Sequence, residues 1–256
     1  MTPPAIARAV ALLILRDLRR LVRRPSQIVA TAGLPLIFAF VLGSGFAEMR
    51  FTGGESPDAG YAAYLVPGAA LLAVVFAATF AGMGLIEDRH EGALRAIALS
   101  PAPPWALAAA RLLSTAILAL LPAGLILALG PPMTGLAIGP GLLVSLAALA
   151  LASVAIGGVS LALAWLIDSS RGFHGVLNLG LMPAWLLSGA VFPVATASGW
   201  VALLAKINPL GWTHAAASAS LGLEPAIPPW AAWAGSIAVA MVGAALAVAS
   251  LSKQKG

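Results

Sequence analysis

Residues 112–167 form the longest charge-free stretch of the chain: LLSTAILALLPAGLILALGPPMTGLAIGPGLLVSLAALALASVAIGGVSLALAWLI. As one helix this stretch would measure about 84 Å, whereas the hydrocarbon core of a bilayer is about 30 Å thick. It must therefore cross a membrane twice. Gly130-Pro131-Pro132 and Gly139-Pro140 predict the turn between the two crossings, because proline ends helices and glycine permits tight reversals.

The same pattern extends over the rest of the 256 residues, with charge-free runs at 25–47, 59–86, 172–205 and 225–252. The chain is 61% hydrophobic and 9% charged, whereas soluble domains are about 25% charged. This composition excludes soluble enzymes and disordered chains, and we expect one all-α integral membrane domain over 1–256. The predicted transmembrane helices are six: about 27–46, 62–86, 112–130, 142–167, 174–191 and 230–251.

The basic residues predict the orientation of these spans. Segments 1–25, 87–111, 168–173 and 252–256 together hold twelve Lys and Arg, whereas the alternate segments hold only Arg50 and Lys206. Because Lys and Arg accumulate on the cytoplasmic side, both termini are predicted to be cytoplasmic. We expect a multi-pass protein of the plasma membrane, which in a bacterium is the inner membrane.

The segment before the first span, residues 5–24, has the spacing of an amphipathic helix. Val10, Ile14 and Leu18 recur on one face, and arginines recur on the other. Such a helix is expected to lie on the cytoplasmic membrane surface as an interface helix. A simple basic leader that only sets topology is the alternative. The arginines assigned to this interface are Arg16, Arg19, Arg20, Arg23 and Arg24.

Several kinds of chemistry are absent from the sequence. There is no cysteine, no Gly-Lys-Ser/Thr phosphate loop and no pair of histidines at zinc-binding spacing. No Asp, Glu, Lys or Arg falls inside a predicted span, which argues against ion-coupled transport. We therefore predict no catalytic, cofactor-binding or metal-binding residues on this chain.

Segment 87–111 is the most informative of the predicted cytoplasmic connections. It is longer than the 2–8 residues that usually join two helices, and it combines charged residues with an apolar patch. A short helix that docks a soluble partner is one interpretation, and a solvated loop that only sets topology is the other. The candidate docking residues are Glu87, Asp88, Arg89, His90, Glu91, Leu94, Arg95 and Ile97.

Segment 192–229, on the predicted outer side, is too apolar for a free loop. It is also interrupted too often by Pro193, Gly199, Asn208-Pro209 and Pro225 to be a span. Short re-entrant or interfacial helices fit this pattern best.

Four motifs, in this order, resemble the ATP-binding-cassette type-2 exporter permeases. The first is the basic amphipathic N-terminus with Arg24-Pro25 and Gly33-Leu34-Pro35-Leu36, and the second is Tyr61-Ala62-Ala63-Tyr64-Leu65-Val66-Pro67-Gly68. The third runs from Glu87-Asp88-Arg89 through Gly92-Ala93-Leu94-Arg95 to Ser100-Pro101. The fourth is Leu187-Ser188-Gly189-Ala190-Val191-Phe192-Pro193, followed by Asn208-Pro209-Leu210.

The resemblance implies a permease dimer, expected here as a homodimer, bound below to two cytoplasmic ATPase subunits that carry ATP and Mg. Residues 88–100 would be the coupling helix, and 5–24 the interface helix beside it. Transport would be export by alternating access. The external helices would close the exit, with gate residues Ser188, Gly189, Phe192, Pro193, Asn208 and Pro209.

One departure from the family pattern follows Asn208-Pro209-Leu210. Many relatives continue to an aromatic residue and an arginine, but here the run is Gly211-Trp212-Thr213-His214. A substrate or gate role tied to that arginine is therefore not expected here. His214 is expected at the surface, and partial substitution for the arginine is the alternative. The substrate class stays open among drugs, lipids and polysaccharides.

Two other classes of function remain as alternatives. A membrane-embedded lipid-modifying enzyme would need clustered polar groups at the membrane boundary, and Glu87, Asp88, His90 and Glu91 form the only such cluster. A passive channel or assembly factor without an ATPase would not depend on Leu94 or Ile97.

Overall fold

The computed structural model describes residues 3–46, 60–92, 102–134, 136, 139–194, 197 and 199–252. All regular structure within these ranges is helical. The helices are α1 Pro3–Val22, α2 Pro25–Gly45, α3 Tyr61–His90, α4 Pro104–Thr134, α5 Gly141–Leu166, α6 Ser170–Trp185, α7 Gly199–Ile207, α8 Pro209–Ser220 and α9 Pro229–Ser252, with a π-helical turn Leu186–Ala190 after α6.

Four of these helices are long and apolar enough to cross a membrane: α3, the Pro104–Gly130 part of α4, α5 and α9. They coincide with the spans predicted at 62–86, 112–130, 142–167 and 230–251. The other two predicted spans coincide with α2, in which a shorter apolar stretch Thr31–Gly45 is found, and with α6 and its π turn. Four candidate spans are therefore found among the described residues, and the total of six stays a prediction.

Two helices extend beyond the spans predicted for them. Helix α3 continues to His90, and α4 begins at Pro104, so the separate segment predicted from 87 shrinks to residues 91–103. Each of these helices is about 45 Å long, more than the 30 Å hydrocarbon core, and each therefore carries charged residues at one end. Arg111 lies in the Pro104–Gly130 helix one residue before the predicted span 112–130, and it belongs to these charged residues of α4.

The predicted turn after Gly130 was also placed too early. Helix α4 continues through Pro131 and Pro132 to Thr134, whose hydroxyl donates to the carbonyl of Gly130 at 2.7 Å. Gly139-Pro140 does precede the next helix, as expected, and α5 begins at Gly141.

Helix α3 occupies the centre of the bundle. Leu71, Leu72, Val74 and Val75 are each at most 1% exposed, and they pack against α4, α5 and Trp185. A second hydrophobic cluster forms around the buried Phe173, near the end of α3 and the start of α4. We call this end of the bundle the charged end, because the charged residues of α3 and α4 lie there. The other end of α3, at Tyr61, is called the opposite end.

Helices α5 and α9 approach each other closely through glycines. A Cβ atom on Gly158 would collide with the carbonyl oxygen of Gly243 and lie 2.7 Å from its Cα. Close backbone contact through small residues is a main source of association between membrane helices, because burial from water no longer drives it.

We expect Gly158→Ala to lower the free energy of unfolding by about 1–3 kcal/mol, the usual cost of overpacking. The atoms it would strike are backbone, so they cannot rotate away. Gly180→Ala is the matched control, since Gly180 is exposed on α6 and a Cβ there meets nothing within 4 Å. Denaturant titration of the detergent-purified chain measures both, and equal effects would contradict the packing argument.

Candidate functional site

Asp88 is the centre of an ion-pair cluster at the charged end. Its side chain is only 2% exposed, and its carboxylate accepts hydrogen bonds from three arginines. Arg16 Nη2 lies 3.1 Å from Oδ2, Arg20 Nη1 lies 2.8 Å from Oδ1, and Arg111 Nη2 also donates to Oδ2. Since these arginines come from α1 and α4, Asp88 joins three helices at one point.

Two further carboxylates extend this cluster by hydrogen bonds, and the exposed Glu91 lies at its edge, with Oε1 3.6 Å from Arg20 Nη2. Glu87 Oε2 accepts from Arg20 Nη2 at 2.6 Å and from Arg24 Nη1 at 2.7 Å. Asp17 Oδ2 lies 3.4 Å from Arg111 Nη1, so Arg111 bridges Asp17 and Asp88. Charge-assisted hydrogen bonds of this kind are roughly twice as strong as neutral ones. We call the whole set the arginine–carboxylate network: Arg16, Asp17, Arg20, Arg24, Glu87, Asp88 and Arg111.

The network holds its charges fixed. Burial by itself lowers the pKa of the Arg16 guanidinium, but attraction to Asp88 and Asp17, together with their hydrogen bonds, raises the pKa above its ordinary value. Arg16 therefore stays protonated at every physiological pH. A permanent positive charge beside a buried carboxylate suits a structural joint between helices.

The segment predicted as the interface helix is helical, as α1, and its arginines divide into two sets. Arg16 and Arg20 lie four residues apart, so they share a face, and with Arg24 they turn inward to the carboxylates of α3. Arg19 and Arg23 are exposed. The inward set is therefore paired within the chain, although Arg24 is still 42% exposed, and the outward set faces away from these carboxylates.

The predicted docking residues also divide. Asp88 is buried and Glu87 is paired, so neither lies on an open surface. Arg89 Nη2 lies 2.7 Å from Asp168 Oδ1, and its guanidinium is 5.7 Å from the Trp165 ring centre, which ties the end of α3 to the end of α5. His90 and Glu91 are exposed. Leu94, Arg95 and Ile97 lie outside the described residues.

The opposite end is joined by hydrogen bonds from aromatic side chains to backbone carbonyls. The Tyr64 hydroxyl donates to Gly189, the Tyr61 hydroxyl donates to Val191 at 3.1 Å, and Trp185 Nε1 donates to Gly68 at 2.8 Å. These bonds fix the π turn after α6 against the start of α3.

The predicted gate residues lie around this π turn. Gly189 has φ +88°, a conformation that favours glycine, and the buried Ser188 hydroxyl donates to the carbonyl of Trp185 at 2.6 Å. Asn208 caps α8 by accepting from Leu210 N at 3.1 Å and donates to the carbonyl of Ala184 at 2.5 Å. Ser188, Gly189 and Asn208 are thus brought together. Phe192 is half-buried, Pro193 is buried and Pro209 is exposed at the first turn of α8.

The surface position predicted for His214 was wrong. Its side chain is 4% exposed, with its ring 6.1 Å from that of Tyr64, beside a cavity of about 190 Å³ that Gly189 also lines. Helix α8 packs against α5 and α9. Its middle turn, which contains His214, is therefore buried. A single sequence contains no signal for this packing.

Removing the Tyr64 hydroxyl tests how firmly the π turn is held. We expect Tyr64→Phe to lower the free energy of unfolding by about 0.5–1.5 kcal/mol, because the Gly189 carbonyl loses a buried donor. Trp200→Phe is the control, as Trp200 is 71% exposed. Thermal unfolding in detergent measures both variants, and an unchanged Tyr64→Phe would mean that the bond contributes nothing.

The geometry is that of a multi-helix membrane bundle with a charged joint at one end and a hydrogen-bonded turn at the other. The sequence model of the family described as ABC-2 type transporter matches residues 8–221. The chain belongs to this family. Comparison with curated proteins gave no match.

As a member of the ABC-2 type transporter family, the chain is a membrane-embedded transport permease, the membrane component of such a transporter. The matched range begins within α1 and ends just after α8, so it includes the whole arginine–carboxylate network and the π turn. Among the described residues no group of His, Asp and Glu is arranged to hold a metal ion.

Sequence reasoning missed three residues of these sites. Asp17 and Arg111 were assigned no role, although Arg111 stands at the edge of an apolar run where a charge is unusual. Trp185 was also missed, since an aromatic residue in an apolar helix looks like any other core residue. Tyr61 and Tyr64 belonged to a motif that carried the family resemblance, but no contact could be assigned to them.

Proposed function

We propose that this permease is the membrane subunit of an exporter, driven by ATP that a separate cytoplasmic ATPase subunit hydrolyses with Mg. The permease itself would carry no catalytic residue. It would act as a dimer, expected to be a homodimer, in the bacterial inner membrane with both termini in the cytoplasm. Substrate would leave the cytoplasm or inner leaflet by alternating access, and its class stays open.

The observation that carries this proposal is the arginine–carboxylate network. It connects α1 to the last turn of α3 and the first turns of α4. These two helices flank the segment 93–101, which contains Leu94 and Ile97. A force applied to that segment by an ATPase would reach α1, α3 and α4 together, because charged groups this closely paired resist separation. Alternating access by rigid-body rotation requires that the connected helices move together in this way.

The same network argues against the lipid-modifying enzyme. General acid–base chemistry needs a titratable side chain within reach of its substrate, but Asp88 is buried under three arginines and Glu87 binds two. His90 and Glu91 alone remain exposed from the polar cluster that such an enzyme would use.

The experiment is to purify the tagged chain from its native membranes in mild detergent and quantify the proteins that accompany it by mass spectrometry. We expect an ATP-binding-cassette ATPase in equal amount with the permease. A folded sample that retains no ATPase would contradict the proposal and favour the passive channel or assembly factor.

A further inference from the structure

A groove runs between α2 and α4. Both helices pack on α3, but α2 touches α4 only slightly, so α3 forms the floor of an open channel. At the charged end the groove widens to a cavity of about 600 Å³. Its mouth is lined by charged side chains of the arginine–carboxylate network, and its walls by apolar residues such as Phe80, Leu118, Leu121 and Leu125.

The groove continues toward the opposite end. A second cavity of about 320 Å³ lies between the same helices, with an apolar lining that includes Ile37, Phe40 and Leu129. On α4 the lining of the first cavity ends at Leu125, and that of the second begins at Ile126. From Arg111 to Leu125 the first cavity extends about 21 Å, which exceeds the roughly 15 Å depth of one leaflet's hydrocarbon.

The charges at the mouth favour an anion. The two carboxylates of the lining are already paired: Glu87 with Arg20 and Arg24, and Asp17 with Arg111. Arg24, by contrast, is 42% exposed and uses only Nη1 for Glu87 among the described residues. Its Nε and Nη2 groups make no hydrogen bond among the described residues, Arg24 lines the cavity, and a guanidinium binds phosphate well through two parallel hydrogen bonds.

We propose that this groove binds one anionic phospholipid from the leaflet at the charged end. Its phosphate lies against Arg24 and the neighbouring Arg20, and an acyl chain lies along Leu118, Leu121 and Leu125. Leu121 and Leu125 are 63% and 48% exposed, so the chain enters sideways from the bilayer without displacing any core residue. The combination of an arginine mouth and a long apolar wall distinguishes this groove from the other apolar faces. The proposal does not depend on the ATPase.

The test is native mass spectrometry of the delipidated full chain, titrated with phosphatidylglycerol or with phosphatidylcholine of the same acyl chains. We expect one phosphatidylglycerol to bind about tenfold more tightly, because both lipids offer a phosphate but the choline of phosphatidylcholine brings a positive charge toward the arginines. Arg24→Gln should abolish that preference. Leu121→Trp should fill the groove and weaken binding of both lipids.

Leu113→Trp is the matched control, because Leu113 is 49% exposed on the same helix but does not line the groove. It should bind both lipids like the unmodified chain, and thermal unfolding shows whether each variant is folded. Equal affinity for the two lipids, or unchanged binding by Leu121→Trp, would overturn the proposal. Displacement of the lipid by glycerol phosphate would also overturn it, because a headgroup site would then suffice without the apolar groove.

Discussion

Replacing Asp88 with alanine is expected to lower the free energy of unfolding by about 3–5 kcal/mol, the usual cost of removing one partner of a buried ion pair. The carboxylate binds Arg16, Arg20 and Arg111, and its loss leaves those cations without their common partner. Arg16 and Arg20 are 36% and 25% exposed, so water compensates part of the loss. The lower half of the range is therefore expected in denaturant titration.

Two further variants show whether the effect comes from the buried pairing. Asp168→Ala removes a carboxylate that is 88% exposed and that, within the described part of the chain, forms an ion pair only with Arg89, so it should cost only about 0–1 kcal/mol. Asp88→Leu combined with Arg111→Met should recover part of the stability, since apolar groups can replace a buried pair. If Asp88→Ala costs no more than Asp168→Ala, the network does not hold the helices together.

The second large effect is expected from Leu94→Arg combined with Ile97→Arg. If segment 93–101 docks in an apolar cleft of an ATPase, the new charges would be buried there without partners. The ATPase should then be lost from the purified complex by about tenfold or more, because an unpaired interfacial charge costs at least 2 kcal/mol. ATP-driven transport should disappear with it, while the permease itself stays folded.

Copurification measured by quantitative mass spectrometry checks this result. Leu203→Arg is the control, since Leu203 is 63% exposed on α7 near the opposite end. It should leave the ATPase bound. A double variant at 94 and 97 that retains the ATPase and its coupling would exclude this segment as the docking site and favour a function without an ATPase.

Most of the helices could be predicted because the membrane imposes a simple rule on the sequence. A long charge-free run must become a helix that satisfies its own backbone, so 142–167 and 230–251 matched α5 and α9 within a residue or two. Proline and charge were less reliable as boundaries. Helix α4 continues through Pro131, and both α3 and α4 extend past the hydrocarbon core into charged residues.

The functional sites were predicted only in part. The arginines of α1 and the carboxylates at 87–88 were both recognised, but as two surfaces that face a partner. The structure pairs Arg20 with Glu87 and Asp88, which lie 67 and 68 positions away. No periodicity in the sequence can indicate such a pairing, because it depends on which helices become neighbours.

The sequence by itself determined that this protein is a helical membrane bundle, approximately where its helices lie, and which motifs resemble a transport permease. These are local properties, set by the hydropathy and spacing of residues close together in the chain. The tertiary structure alone decided that Asp88 is shared by three arginines, that His214 is buried, and that α2 and α4 leave a groove over α3. Each of these depends on how distant helices pack, and close packing is a property of their shapes in three dimensions.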